Sequence, residues 1–366
     1  MVGRNSSGTR LLWGLTFAFG AIAVGVGACA VAAPPAGEDR RGHVDSTAPM
    51  GGDVTVPHDV DAVVPNDVEE SEWLIRAWEQ HLSSGYPAFR MFCSFSHLAH
   101  HDPIVDPGNE HFMHLHMFFG NTAVDQDSTY QSLRATGDST CDGGRLNRTA
   151  YWMPAVFDGA DDVVVPSGFE LYYKAENADD PRGIIAKPNG LRMIAGAPDT
   201  RVFRWTCGGI SSTTIPDCPT GSRLTVSVRF PYCWDGRNLD SRDHRSHMAY
   251  GTNNTWGPCP ASHPVHLPEL TEFAHFDDVA DTSNWHLSSD RMDPARPEPN
   301  GSTMHADWFG AWDDRTQERW VDNCLKGLRN ASNGNLCDGT QLRPHDPFRG
   351  PARIGGFSPT SHHAAR

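Results

Sequence analysis

Along most of the chain, short hydrophobic or alternating runs are separated by clusters of Gly, Pro, Asn and Asp. The run 224–230 is the clearest, because apolar and polar residues alternate one by one, as they do in a strand with a single buried face. Similar runs predict strands at 88–95, 114–119, 151–157, 170–174, 191–194, 201–205 and 247–251.

Helical spacing occurs in two places only. Residues 71–82 carry apolar residues at helical intervals after a Ser-Glu start, which predicts a short amphipathic helix. Residues 312–328 place Trp320, Val321, Cys324, Leu325 and Leu328 on one face, which predicts a second helix near the end of the chain.

This order of elements predicts a mainly β protein. Many short strands between turn signals are typical of a sandwich or jelly roll with long loops and a few short helices. The sequence shows neither a βαβ rhythm nor a glycine-rich phosphate loop. We therefore expect a single β-rich domain over residues 69–354.

The N-terminal residues have the composition of an export signal. Arg4 and Arg10 form a basic start without acidic residues, and an apolar run rich in small residues follows, so residues 1–32 are predicted to be a signal peptide. Two processing sites compete. The first is a small-residue cleavage site at Ala30 and Ala32, and the second is a lipobox ending at Cys29, which would make Cys29 a lipid anchor.

The segments that flank the predicted domain are poor in aromatic residues. Residues 33–68 are rich in Pro, Gly, Ala, Asp and Val, a composition typical of a flexible tether, and residues 355–366 are predicted to be a disordered tail. The net charge of −15 argues against a nucleic-acid partner, because no basic stripe is present to neutralise phosphates. Nothing in the sequence predicts an oligomeric state.

The nine cysteines fit an oxidising compartment. If Cys29 is set aside, eight remain, none of them with the Cys-x-x-Cys spacing of a zinc or redox site, so about four disulfides are expected. Secretion, or attachment as a periplasmic or outer-surface lipoprotein, is the localisation that these features predict.

Two short segments present histidine and aspartate at the spacing of one strand face. His114 and His116 form one pair, and His305 and Asp307 form the other. Imidazoles offered in this way are typical of a divalent metal site whose ligands come from distant parts of the chain, and zinc, copper or calcium would be the ion. The alternative is a set of polar or hydrogen-bonding histidines without a metal.

The segment 233–247 concentrates carboxylates, arginines and histidines in one loop. His247 is a candidate general acid or base, with Asp240 or Asp243 as the carboxylate that orients it. Arg245 and Arg192 are candidates for binding an acidic or hydroxyl-rich substrate. The alternative is an internal ion-pair network that orders a long loop.

At these motifs the chain resembles the family catalogued as domain of unknown function 1996, found in secreted bacterial and fungal proteins. The matching motifs run in order from about residue 90 to residue 328. They are Asp102-Pro103-Ile104-Val105 with Pro107-Gly108, His114-x-His116 with Gly120, Tyr151-Trp152-x-Pro154, the stretch 190–196, the stretch 233–250, His263-Pro264-Val265-x-Leu267-Pro268, and His305-x-Asp307 with Trp312-Asp313. The resemblance implies an extracellular protein and points to cell-wall polysaccharide, because some fungal members carry glycan-binding modules.

Three functions follow as hypotheses. The first is a carbohydrate-active enzyme, a polysaccharide hydrolase or lyase, with a His/Asp cleft that holds a metal and with Tyr151, Trp152 and Trp234 contacting the sugar. The second is a glycan-binding or envelope-associated module without catalysis. The third is a histidine-based protein that sequesters or delivers copper or zinc.

Overall fold

The computed structural model describes residues 68–78, 86–109 and 113–361, which all belong to one compact unit. The predicted signal peptide, Cys29 and nearly all of the predicted tether lie outside the described residues. The strands are β1 Leu74–Arg76, β2 Ala88–Cys93, β3 Phe95–Ala99, β4 His116–Gly120, β5 Ala150–Pro154, β6 Val156–Phe157, β7 Val163–Val164, β8 Gly168–Lys174, β9 Arg192–Gly196, β10 Phe203–Cys207, β11 Ile210–Ser212, β12 Ser222–Arg229, β13 Cys233–Trp234, β14 Met248–Ala249, β15 Val265–His266, β16 Glu269–Val279, β17 His286–Leu287, β18 His305–Phe309, β19 Asn330–Ala331, β20 Thr340–Leu342 and β21 Arg353–Ile354.

Helices are short. The α-helices are α1 Glu70–Trp73, α2 Tyr130–Ala135 and α3 Asp314–Trp320, and α3 continues as a π-helical segment, Val321–Lys326. Single 3₁₀ turns are formed by Gly144–Leu146, Pro181–Gly183 and Ser288–Arg291. No helix among the described residues is long and apolar enough to cross a bilayer.

Two large sheets form a sandwich. One has seven strands in the order β11-β10-β12-β16-β8-β2-β19, and the other has five in the order β3-β4-β5-β18-β9. Their inner faces pack through aromatic rings: Phe119 and Phe169 stack with centroids 3.8 Å apart, and the hydroxyls of Tyr151 and Tyr173 lie 2.9 Å apart. The predicted mainly β sandwich is confirmed.

The outer face of the five-stranded sheet is covered over part of its area. Because successive side chains of a strand point to opposite faces, Phe118, Trp152 and Phe309 point away from the main core. Ile104, Val124 and Leu133, from the segment between β3 and β5, cover them as a second, smaller apolar cluster. The candidate histidines lie on this outer face, beside that cluster.

Four disulfides connect the eight cysteines of the described domain. The pairs are Cys93–Cys141, Cys207–Cys218, Cys233–Cys259 and Cys324–Cys337. The number of bonds agrees with the prediction from the sequence, which left the pairing open.

Several segments differ from the sequence prediction. The predicted helix over 71–82 ends at Trp73, because Leu74–Arg76 pairs with Thr340–Leu342 instead, and residues 79–82 lie outside the described part. The longest strand, β16, is absent from the prediction, since its acidic residues break the alternation. Residues 355–361, which were assigned to a disordered tail, make defined contacts: the Leu115 amide donates to the Pro359 carbonyl at 2.8 Å.

Strand β16 places a carboxyl group inside the sandwich. Glu272 is directly opposite Val228 and Leu171 in the neighbouring strands and is only 2% exposed. Neither of its carboxyl oxygens has a hydrogen-bond partner among the described residues. Burial, and secondarily the Asp307 carboxyl, raises the pKa of Glu272 well above its usual value.

We expect Glu272→Gln to be more stable than the wild type at pH 7.5, by at least about 1 kcal/mol. In the unfolded chain the pKa of a glutamate is near 4.3. Because the folded protein keeps the Glu272 proton above that pH and the unfolded chain releases it, the wild type loses stability as the pH rises. The difference between the two proteins should therefore shrink towards pH 4. Urea unfolding across this pH range measures it, and the exposed Glu298→Gln serves as control. Equal stability of Glu272→Gln and wild type at every pH would contradict the prediction.

Candidate metal centre

Three histidines converge on the outer face of the five-stranded sheet. One nitrogen from each of His114, His116 and His305 lies within 4.8 Å of a nitrogen of the other two. The ring centroid of His114 lies 4.1 Å from that of His116 and 5.0 Å from that of His305. The structure thus brings together the three imidazoles that the sequence proposes as ligands.

The topology explains why residues so distant in sequence meet. Strands β4 and β18 flank β5 on its two sides, and His116 and His305 are the first residues of these strands. His114 precedes β4 and is held by a bridge to Thr360. Gly196, directly opposite His305, has a φ of +99°, and a Cβ there would lie 2.4 Å from the Met304 carbonyl oxygen, so only glycine fits.

Backbone carbonyls fix the orientation of two of the rings. The Nδ1–H of His116 donates to the His101 carbonyl at 3.0 Å, and that of His305 donates to the Thr303 carbonyl at 2.9 Å. This assignment leaves the Nε2 lone pair of each ring available. Nε2 of His114 and Nε2 of His116 are buried without a hydrogen-bond partner among the described residues.

The electrostatics keep all three rings neutral. Burial lowers the pKa of His116 to about 3 and that of His305 to about 4, and burial followed by the neighbouring His116 and His305 rings lowers the pKa of His114 well below its usual value. Neutral imidazole is the form that coordinates a metal ion.

The donor set fits a transition metal. Zinc bonds nitrogen at about 2.0–2.1 Å, so the ligand nitrogens of a tetrahedral site lie roughly 3.3 Å apart. The three nitrogens lie within 4.8 Å of one another, and small side-chain rotations would bring them to that spacing. Three imidazoles suit zinc or copper, whereas calcium takes oxygen ligands. Among the three ions considered from the sequence, calcium is therefore the least compatible.

Two carboxyl groups lie beside the cluster. Asp307, which the sequence proposes as a ligand or orienting group, shares the outer face with His305 but is not one of the three convergent ligands. It is 1% exposed, and burial, followed by the neighbouring Asp102, raises its pKa well above the usual value. Neither oxygen of Asp307 has a hydrogen-bond partner among the described residues.

Asp102 is a site residue that the sequence analysis did not select. Its Oδ1 accepts hydrogen bonds from the amides of Ile104 and Val105 at 2.8 and 2.9 Å, and its Oδ2 lies 3.4 Å from Nε1 of Trp152. Burial lowers the pKa of His305, and the Asp102 carboxyl opposes that shift only in part. The aspartate before Pro103 was visible as a turn signal, but nothing in the local pattern placed it beside a residue two hundred positions away.

The loop 235–247 covers the free edge of β9. The Arg192 amide donates to the Leu239 carbonyl, the Arg192 carbonyl accepts from Nε2 of His247 at 2.6 Å, and the Ile194 carbonyl accepts from Arg245 at 3.5 Å. An edge covered in this way cannot pair with another chain.

These contacts favour a structural role for His247, Asp240 and Asp243 over the predicted catalytic one. Both ring nitrogens of the buried His247 are engaged, since Nδ1 lies 2.9 Å from Ser241 Oγ. Asp243 accepts from the Ser246 amide at 2.8 Å and closes the turn. Asp240 binds His244 at 3.0 Å. Both nitrogens of His247 thus have partners within the domain, which favours the ion-pair network proposed as the alternative.

The predicted sugar contacts do not form a binding surface. Tyr151 and Trp152 are fully buried, Tyr151 in the main core and Trp152 against Phe118 at 5.5 Å between centroids. The Nε1–H of half-buried Trp234 donates to the Asn238 carbonyl at 2.6 Å. Arg192 is paired with Asp240 at 3.3 Å. The aromatic residues failed as predictions because tryptophan and tyrosine in short strands are usually core residues.

Comparison with known proteins identifies a family. A family model described as a domain of unknown function (DUF1996) matches residues 102–312, a segment that contains all three histidines. None of the curated proteins and none of the solved structures compared with the chain is similar to it.

We expect His247→Ala to destabilise the protein by about 2–4 kcal/mol, because it leaves the buried Arg192 carbonyl without a donor and opens the edge of β9. Zinc binding at the three-histidine cluster should survive in the folded fraction. Chemical unfolding measures the loss, with the half-buried His263→Ala as the matched control. Wild-type stability in His247→Ala would contradict the structural role.

Proposed function

The chain belongs to the DUF1996 family, whose description assigns no activity, and we propose that it is an exported metal-dependent hydrolase or lyase of polysaccharide. The ion would be held by His114, His116 and His305. One observation carries this proposal: one nitrogen of each of the three imidazoles lies within 4.8 Å of the other two. Buried polar nitrogens without partners are costly, and a bound metal ion would satisfy all of them together.

The arrangement resembles a catalytic metal centre more than a structural one. Structural zinc sites take four protein ligands, whereas catalytic sites keep three and leave a position open. Zinc in such a position supplies an activated water or a Lewis acid. His305 is the only one of the three that is partly exposed, which makes its side of the cluster the approach for a substrate.

The surrounding residues would support that chemistry. The carbonyls of His101 and Thr303 orient two of the ligands, as outer hydrogen bonds do in known metal sites. The Asp307 carboxyl, whose pKa is raised well above its usual value by burial and then by Asp102, would hold a proton near the reacting atoms.

Export and the polysaccharide substrate rest on weaker support. Four disulfides are compatible with an oxidising compartment outside the cytoplasm. The polysaccharide rests on the family resemblance alone, because the aromatic residues proposed to contact sugar are buried.

A metal-binding protein without turnover is the second candidate. The burial of His114 and His116, which are 5% and 0% exposed, favours it, since a deeply held ion would exchange slowly. Turnover separates the two functions, whereas metal affinity is common to both.

We expect the untagged protein to bind one zinc or copper ion and to be stabilised by about 2.7 kcal/mol at a free concentration a hundred times the Kd. His114→Ala and His116→Ala should weaken binding by more than the roughly 10–100-fold that loss of an orienting group costs. Calorimetry measures the affinity. His275→Ala, whose ring lies on the seven-stranded sheet and bonds Thr225, is the control and should bind as the wild type does. Unchanged binding in both cluster variants would refute the metal centre.

We expect the zinc- or copper-loaded protein to cleave at least one member of a panel of neutral and acidic polysaccharides. Release of reducing ends alone identifies a hydrolase, and absorbance of unsaturated uronates identifies a lyase. His305→Ala should abolish either signal while the protein stays folded. Binding of a polysaccharide without cleavage would instead identify a glycan-binding module, and metal binding without either would identify a metal-binding protein.

A further inference from the structure

We propose that the three-histidine site takes an anionic ligand and that Arg245 binds its oxyanion. This inference rests on the proposed function, which it makes more specific: the polysaccharide would be an acidic one, whose uronate carboxylates Arg245 recognises.

The guanidinium of Arg245 is fixed beside the cluster. Its Nη2 donates to the Ala197 carbonyl at 3.2 Å and its Nη1 contacts the Ile194 carbonyl at 3.5 Å. These carbonyls flank Gly196, which is directly opposite His305 in the sheet. Contacts on both sides of Gly196 therefore hold the Arg245 guanidinium at the end of β9 that pairs with His305.

Some arginines of the described domain are held in ion pairs. Arg192 is paired with Asp240 at 3.3 Å and Arg353 with Asp158 at 2.6 Å. Within the described ranges 68–78, 86–109 and 113–361, no carboxylate lies within ion-pair distance of Arg245. Its side chain is exposed, so a ligand could reach it from solvent. A guanidinium has five N–H donors, so two carbonyl contacts leave donors for a ligand.

The charge balance favours an anion when the metal is bound. A divalent ion and Arg245 contribute three positive charges, against which Asp102 and Asp307 contribute at most two negative ones. This spot would therefore be positive on a chain whose net charge is −15, and it would concentrate anions locally.

The chemistry of the guanidinium specifies the ligand class. Its planar fork matches the two oxygens of a carboxylate or a phosphate, so both groups share the required chemistry. A uronate residue would present a carboxylate to Arg245 and ring oxygens towards the open side of the cluster. Inorganic phosphate offers the same oxyanion chemistry, so the experiment must distinguish it from a uronate.

The experiment measures binding of three probes by calorimetry to the metal-free and zinc-loaded full chain: a galacturonic acid trimer, a neutral galactose trimer and inorganic phosphate. Arg245→Gln removes the charge, and Arg245→Lys keeps the charge without the fork. Arg242→Gln makes the same change three residues earlier in the same loop, at an exposed side chain, and is the control. Thermal unfolding of each variant shows that it is folded.

We expect the wild type and Arg242→Gln to bind the galacturonic acid trimer, Arg245→Gln to bind at least tenfold more weakly, and Arg245→Lys to lie between them. Equal affinity of Arg245→Gln and wild type, or equal affinity for the neutral trimer, overturns the inference. Binding of phosphate but not of the uronate supports the oxyanion site and overturns the uronate as its source. Zinc affinity is measured separately in every variant, so failure of the wild type to bind zinc overturns the proposed function, and anion binding by the metal-free protein then decides the role of Arg245.

Discussion

The alternation of side chains across the five-stranded sheet is the constraint on which the candidate site depends. One face of β4, β5 and β18 supplies Phe119, Tyr151 and Trp308 to the core of the sandwich. The opposite face of the same strands supplies His116, Trp152 and Asp307. A shift of register by one residue would exchange the two sets, burying the imidazole among aromatic rings and exposing the rings. The packing of the core therefore fixes the position of the ligands.

The longest motif in the sequence has a different role from the one its residue types suggest. The loop 235–247 is rich in groups that catalyse reactions in other proteins, yet most of them bond one another or the edge of β9. The loop covers an exposed strand edge and in doing so places one cation, Arg245, near His305. Most of this loop therefore has a structural role, whereas Arg245 lies beside the candidate site.

Much of the fold was predictable, because alternation in segments such as 224–230 reports burial directly. The helix over 71–82 was not, since Leu74–Arg76 pairs with β20, a contact that spacing within the segment cannot reveal. The three convergent histidines were predictable from the His-x-His and His-x-Asp spacing of strand faces. Asp102, the engagement of both nitrogens of His247 and the burial of Tyr151 and Trp152 depend on contacts between distant segments, which no local pattern encodes.

The bridge between His114 and Thr360 has a consequence for the order of assembly. These two residues are separated by almost the whole described domain, so closing this contact requires nearly every other element to be in place. A chain that is still being synthesised would contain His114 and His116 long before the segment that positions the first of them. Convergence of the three imidazoles therefore requires the chain up to Thr360 and cannot precede the synthesis of that segment.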